Sequence, residues 1–170
     1  VVARLCADKM GSFHQTRRVA RRTGENIAQE SFPERLWLFL DEAHVIVPAG
    51  SPSPATGPIV DYVKRGRDAG LSMVFATQQP SAVDTRLMSQ VDLTLTHALG
   101  FESDLMAAVA RMPTRSNVGY ELGSRKLSSM QDVLRSLEPG ECVIADATNG
   151  RAFVARIRPR LTAHGGNTPI

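Results

Sequence analysis

Asp41 and Glu42 are adjacent acids at the end of five consecutive apolar residues, Leu36-Trp-Leu-Phe-Leu40. A short apolar run closed by polar residues reads as a strand buried on both faces, as in a parallel sheet covered by helices. In such sheets ligands bind beyond the carboxyl ends of the strands, so both acids stand where chemistry would happen. Two carboxylates there have a defined use: the first supports a hydrated Mg²⁺ and the second polarises an attacking water. The plainer reading is that two acids mark a strand leaving the core for solvent.

A second strand end of this kind follows. Leu71-Ser-Met-Val-Phe-Ala76 is apolar and runs into Thr77-Gln78-Gln79-Pro80. A lone Gln is commonly a turn residue, but a Gln beside a metal-binding strand end can hydrogen-bond the attacking water or a terminal phosphate. Between the two strands, residues 48–58 are dense in Pro, Gly and Ser and read as an exposed loop. Pro58 suits the first position of a helix with Gly57 as its cap, and Gly70 suits its C-terminal stop. Ile59, Val60 and Val63 give that helix an apolar side. Its end carries Lys64-Arg65-Gly66-Arg67, a basic cluster whose plain reading is cations at the negative end of the helix dipole.

The remaining elements must position these ends. Val2, Leu5, Cys6, Met10 and Phe13 recur at helical spacing, with Gly11 weakening the pattern. The basic stretch Arg17-Arg18-Val-Ala-Arg21-Arg22 follows, and Thr23-Gly24 ends that helix. As function it is a nucleic-acid contact; as structure it is a solvated helix face. Ser81–Gln90 holds a short helix with Asp84 as a plausible cap. Residues 91–97 alternate as a third strand, and His97 is expected to be structural because no nucleophile pairs with it. Residues 102–111 predict a helix with Leu105, Met106 and Val109 inward, stopped by Pro113. Residues 114–127 have no assignable pattern. Residues 128–137 are helical, with Ser129 and Asp132 at capping-box-like spacing. Pro139-Gly140 turns into the strand 141–145, and Asn149-Gly150 is a hairpin signal leading to the strand 151–157.

At 170 residues and 42% hydrophobic, the chain has material for one domain with a core. No stretch approaches the roughly 20 apolar residues that span a bilayer, and no signal-peptide pattern opens the chain. No membrane partner and a cytoplasmic location are the expectations. Cys6 and Cys142 match no metal-ligand spacing and are expected to be reduced thiols. The net charge of +3 comes from arginine, since lysine occurs only at 9, 64 and 126. It tolerates an acidic partner without demanding one.

In order, the chain reads acid-ended strand, loop, basic helix end, Gln-ended strand, further strand and closing hairpin. This resembles the second half of a RecA-type ATPase of the additional-strand class, and within it the HerA/FtsK superfamily of hexameric DNA translocases, HerA-like ATPases above all. The residues carrying the resemblance are Leu38-Phe-Leu-Asp-Glu-Ala-His44, Val63-Lys-Arg-Gly-Arg-Asp-Ala-Gly70, Phe75-Ala-Thr-Gln-Gln-Pro-Ser81, Leu87-Met-Ser-Gln90 and the tail Arg158-Pro-Arg-Leu-Thr-Ala-His-Gly-Gly166. The fold implied is α/β: a RecA-like P-loop NTPase core, mostly parallel sheet flanked by helices, with a terminal β-hairpin. Residues 1–158 would form the C-terminal part of that ATPase domain and residues 159–170 an extended tail.

The resemblance also implies roles. Asp41, on the Walker B strand, would hold Mg²⁺, and Glu42 would be the catalytic base. Gln78 would sense the terminal phosphate of ATP, and Arg67 would act as an arginine finger toward a neighbouring subunit's nucleotide. Chains of this kind often carry a single Arg where Gln79 stands here. The implied partners are further copies in a hexameric ring, double-stranded DNA, and a nuclease or other effector. A P-loop needs Gly-x-x-x-x-Gly-Lys-Ser/Thr, so that backbone amides and the Lys cradle the phosphates. No lysine here follows a glycine. The Walker A half is therefore expected upstream of Val1, and the isolated chain is expected to be inactive.

Three rivals use the same residues. Asp-Glu-Ala-His also resembles the DEAH-box RNA helicases, and Phe75-Ala-Thr77 their Ser-Ala-Thr motif. In that family the arginine motif follows this segment, whereas the cluster here precedes it. A secretion or conjugation motor would use the same core on protein or single-stranded DNA. A degenerate ATPase fold serving only in assembly is the non-enzymatic alternative, against which the intact Asp41, Glu42, Gln78 and Arg67 stand.

Overall fold

The computed structural model describes residues 2–24, 35–67, 70–113, 120–122, 125–159 and 161. The chain forms two compact units, residues 1–91 and 92–170.

The first unit begins with one continuous helix, α1 (Val2–Thr23), which runs through Gly11 and ends at Thr23 as expected. A glycine inside a helix costs about 1 kcal/mol, which a 22-residue helix absorbs. Gly24 ends it at φ +69°, the left-handed conformation that suits a helix terminus. Strands β1 (Leu36–Leu40) and β2 (Leu71–Phe75) pair in parallel, with Leu36 opposite Leu71 and Leu40 opposite Phe75. Between them lie the short helix α2 (Ala43–Ile46) and helix α3 (Thr56–Arg65).

Strand alternation turns Leu36, Leu38 and Leu40 of β1 toward the core with Leu71, Met73 and Phe75 of β2. Burial on both faces of β1 is not what the structure has: Trp37 is 56% exposed and Phe39 70%. Their rings stack on each other, 6.3 Å between centroids, on a face that no described residue covers. Only the α3 side of the pair is packed. There Leu40, Ala43, Val47, Ile59, Val60, Val83 and Leu87 form the core, and Tyr62 with Leu71 forms a neighbouring cluster joined by Met10 and Phe13 of α1. The Tyr62 hydroxyl lies 2.9 Å from the Ser72 carbonyl and 3.2 Å from that of Leu36, tying α3 to both strands.

Helix α3 starts two residues before the expected Pro58, because Ser53 and Thr56 organise its entry. The Ser53 amide donates to Thr56 Oγ1, and Thr56 is fully buried. The helix stops at Gly66 rather than Gly70, and the reason is steric. A Cβ on Gly66 would lie 2.3 Å from the Tyr62 carbonyl oxygen and 2.8 Å from Leu71 Cβ. That close approach lets Gly66 accept from the Leu71 amide at 2.9 Å and start β2. Gly70, at φ +70°, accepts instead from the Leu36 amide across the strand pair. After β2 come a 3₁₀ turn (Pro80–Ala82) and α4 (Thr85–Met88), capped as expected by Asp84.

The second unit contains β3 (Leu93–Thr96), α5 (Glu102–Val109), β4 (Tyr120–Leu122), β5 (Arg125–Leu127), α6 (Met130–Ser136), β6 (Glu141–Asp146) and β7 (Arg151–Arg156). Here the pairing is antiparallel throughout: β3-β6-β7 form one sheet, and β4 with β5 falls in the stretch that had no readable pattern. Leu105, Ala108, Val133, Leu134, Val143 and Ala145 make its core. Met106, expected inward, is 51% exposed, and Ala108 takes the buried place on α5. Ser129 caps α6 by accepting from the Asp132 amide. The β6–β7 hairpin turns at Gly150, φ +64°, with Asp146 accepting from the Thr148 and Asn149 amides. His97 is structural, donating to the Glu141 carbonyl at 2.8 Å. Cys142 is a buried free thiol, its pKa pushed up by burial, while the side chain of Cys6 lies outside the described residues. The tail after 159 lies outside them as well, except Leu161. No described helix is long and apolar enough to cross a membrane.

Candidate active site

The carboxyl ends of β1 and β2 are held side by side by main-chain bonds. Ala76 N donates to Leu40 O at 2.8 Å, and Ala43 N donates to Ala76 O at 2.9 Å. This lattice carries Asp41 and Glu42 on one strand end and Thr77 and Gln78 on the other. Glu42 has φ +48° and ψ +52°, and it is the one non-glycine among the described residues with a positive φ. Holding a non-glycine there costs on the order of 1–3 kcal/mol and persists only where the surroundings impose it. Here the Glu42 carbonyl accepts from Val45 N at the start of α2, and its amide donates to Asp41 Oδ1 at 2.9 Å.

The side chains then converge. Gln78 Nε2 donates to Glu42 Oε1 at 2.6 Å. His44 Nδ1 lies 3.0 Å from Thr77 Oγ1 and 3.3 Å from Glu42 Oε2. The shorter contact is its hydrogen bond, and Glu42 Oε2 is left buried with none among the described residues. The Thr77 hydroxyl oxygen also accepts from Gln79 N at 3.1 Å, which fixes the turn that presents Gln78. A buried carboxylate oxygen without a donor is costly, and the His44 ring stands against this one at 3.3 Å. Asp41 is exposed, and its Oδ2 accepts no hydrogen bond among the described residues.

The Gln turn is anchored from behind. Asp84 N donates to Val47 O and Ala49 N to Ala82 O, so the segment after α2 pairs with the segment before α4. Asp84 accepts from the Arg86 amide and forms a two-pronged ion pair with its guanidinium, Nη2 to Oδ2 2.8 Å and Nε to Oδ1 3.0 Å. That guanidinium, helped by the amide bond and opposed by burial, holds the Asp84 carboxyl below its usual range.

Asp41, Glu42 and Gln78 are thus brought together. Arg67 is not. It is exposed and sits before β2, at the other end of the strand pair, roughly 16 Å away at about 3.3 Å per residue. Asp68 and Ala69, part of the same motif, lie outside the described residues. His44 and Thr77 join the site from the structure alone. Their contact spans 33 positions of sequence, and the only signal of it was that each directly follows a chemistry-bearing strand end. Asp41 alone, with a free carboxylate oxygen, fits Mg²⁺, which keeps most of its waters and takes one or two carboxylates besides substrate phosphates. Among the described residues no group of three His, Cys, Asp or Glu gathers as a metal cluster.

No family model and no characterised protein matches the sequence. Solved structures do match the fold. Two are the genome packaging NTPase B204 from Sulfolobus turreted icosahedral virus 2, in complex with AMPPCP and with ATP-gammaS. Each is 15% identical with a TM-score of 0.56, covering 75% and 74% of this chain and 54% of B204. B204, the DNA-packaging ATPase from Sulfolobus Turreted Icosahedral Virus, matches at 16% identity and TM-score 0.56 over 74% of this chain and 54% of its own. The chain therefore spans about half the length of the structures it resembles. The expected fold is borne out: α/β of the RecA-like P-loop ATPase kind, a parallel strand pair flanked by helices, with an antiparallel terminal hairpin.

Proposed function

We propose that this chain is part of an ATP-driven DNA translocase, supplying the Walker B acids, the phosphate-sensing Gln and an arginine finger to a ring-forming ATPase. The observation that carries the reading is the convergence of Asp41, Glu42 and Gln78 at the carboxyl ends of two adjacent parallel strands. On this reading residues 1–158 belong to one RecA-like domain, and other residues of the protein supply the phosphate-binding loop. The packaging activity named for B204 supports DNA over protein as the translocated polymer.

Asp41 would hold Mg²⁺, whose charge offsets that of the ATP phosphates when bound. Glu42 takes a proton from the attacking water, a role that its place beside Asp41 at the end of β1 suits. Gln78 fixes the carboxylate through Oε1 and retains a second amide hydrogen for the terminal phosphate or the water. His44, bonded to Thr77, walls the other side of Glu42. Arg67, at the end of the strand pair away from its own acids, would reach the nucleotide of the next copy in a hexameric ring.

Glu42→Gln tests this in the full-length protein. ATP binding stays within a few-fold of wild type while hydrolysis falls by about 10²–10⁴, the usual contribution of a general base. Unchanged turnover would remove Glu42 from the mechanism, whereas no hydrolysis by the wild-type protein would favour the assembly-module reading.

A further inference from the structure

The most concentrated charge in the chain lies away from the acid pair, on the second half of α1. Residues 9–24 carry Lys9, Arg17, Arg18, Arg21 and Arg22 and no acid, a charge of +5 against +3 for the whole chain. The rest of the chain is therefore net negative. Met10 and Phe13 pack α1 against the Tyr62–Leu71 cluster, and Arg17 lies over the Phe13 ring, 5.5 Å from its centroid. Beyond Phe13 no residue of the helix is buried, and all four arginines are exposed.

At about 100° per residue, the four arginines fall within an arc of about 140° on one face. Arg18 and Arg22 are one turn apart, about 6 Å along the axis, with Arg21 between them. Arg18, Arg21 and Arg22 make no ion pair among the described residues. Like charges at such spacings repel one another, so the helix carries an uncompensated cost that an anionic partner removes. The helix dipole offsets some of it, but only for Arg21 and Arg22 in the last turn.

We propose that this face binds the phosphate backbone of double-stranded DNA without reading sequence. The charge complements a polyanion, and planar guanidinium groups suit phosphate oxygens. The rings at this face, Phe13 and His14, pack edge to face at 5.7 Å, with Phe13 held against the Tyr62–Leu71 cluster and under Arg17. The arginines therefore offer phosphate contact rather than base stacking, which favours duplex over single strands. A membrane surface fits less well. A helix lying on lipid needs large apolar residues opposite its cations, and residues 14–23 offer only Val19 and Ala20. The site is independent of the acid pair and of ATP.

The test is fluorescence anisotropy of the full chain with a labelled mixed-sequence 20-bp duplex at several salt concentrations. Each phosphate contact adds about 0.9 to the slope of log affinity against log salt, so three arginines account for about 2.7. That is a loss of about 40-fold between 50 and 200 mM salt. Arg18→Gln/Arg21→Gln/Arg22→Gln keeps good helix formers at all three positions, which circular dichroism verifies. The slope is expected to fall by about 2.7 equally for duplexes of different sequence, and the corresponding triple Lys variant to retain it. A triple Gln variant that folds and keeps the wild-type slope overturns the proposal. So does a wild-type chain that ignores duplex at 50 mM salt, or one that binds anionic vesicles but not DNA.

Discussion

Gln78 donates a 2.6 Å hydrogen bond to Glu42 across the carboxyl ends of two parallel strands, joining residues 36 positions apart in sequence. The bond ties the group that would meet the terminal phosphate to the group that would take the water's proton. It also helps hold Glu42 in its left-handed backbone conformation, since Gln78 and the Asp41 carboxylate restrain the residue at both ends.

Gln78→Ala should therefore do two kinds of damage at once. On the proposed reading it removes a donor aimed at developing charge, a loss on the order of 10²-fold in kcat for comparable donors. It also frees the Glu42 carboxylate to leave its place. Steady-state hydrolysis by the full-length variant should fall by about that factor with little change in KM for ATP. A rise in KM at unchanged kcat would mean that Gln78 only binds nucleotide.

How much of this was legible depended on the range of the interaction. The two strands announced themselves because five-residue apolar runs ending in polar groups are local patterns. Asp84 and Ser129 were equally plain, since a cap and its amides lie within three residues. What stayed hidden was set by partners far along the chain. The stop of α3 at Gly66 depends on the side chain of Leu71 and the carbonyl of Tyr62, so Gly70 looked equally suited. Met106 and Ala108 share one short helix, and only packing against α6 decides which is buried. His44 showed only that it follows a strand end, not that it meets Thr77, and the exposure of Trp37 and Phe39 runs against a composition that suits burial.

Asp84 makes the anchoring of the Gln turn dependent on pH. Its folded pKa lies below the ordinary value of about 3.9, chiefly through the Arg86 bond, so the folded state binds its proton less readily than the unfolded chain. The charge-linked stabilisation is thus fully present above about pH 5 and is lost as pH falls through the folded pKa. Asp84→Asn retains a capping side chain but not the charge. In urea titrations it should be less stable than wild type at pH 6 by up to about 1 kcal/mol, the scale of an ion pair with one solvent-exposed partner. The difference should close as the pH is lowered from about 4 toward 2. A gap of the same size at both extremes would assign Asp84 a purely geometric role.

Arg67 tests the ring. It lies at the end of the β1–β2 pair away from Asp41 and Glu42, so it cannot serve its own site without leaving the turn that begins β2. An arginine finger acting on a neighbour's nucleotide is worth 10³–10⁵ in rate. A cation that only complements the dipole of α3 matters to stability alone, by about 0.3–1 kcal/mol. Full-length Arg67→Ala is expected to fold, assemble and bind ATP, yet to lose hydrolysis by at least about 10³-fold. Mixed with Glu42→Gln, which lacks the base but keeps the finger, it should regain part of the activity. Some interfaces in a mixed ring join an intact Glu42 site to an intact Arg67 of the next copy. If mixed rings form and remain as inactive as either parent, a pairwise role in trans fails. If Arg67→Ala hydrolyses ATP normally, the finger is assigned instead to Arg65 or Lys64, the other cations at that end of α3.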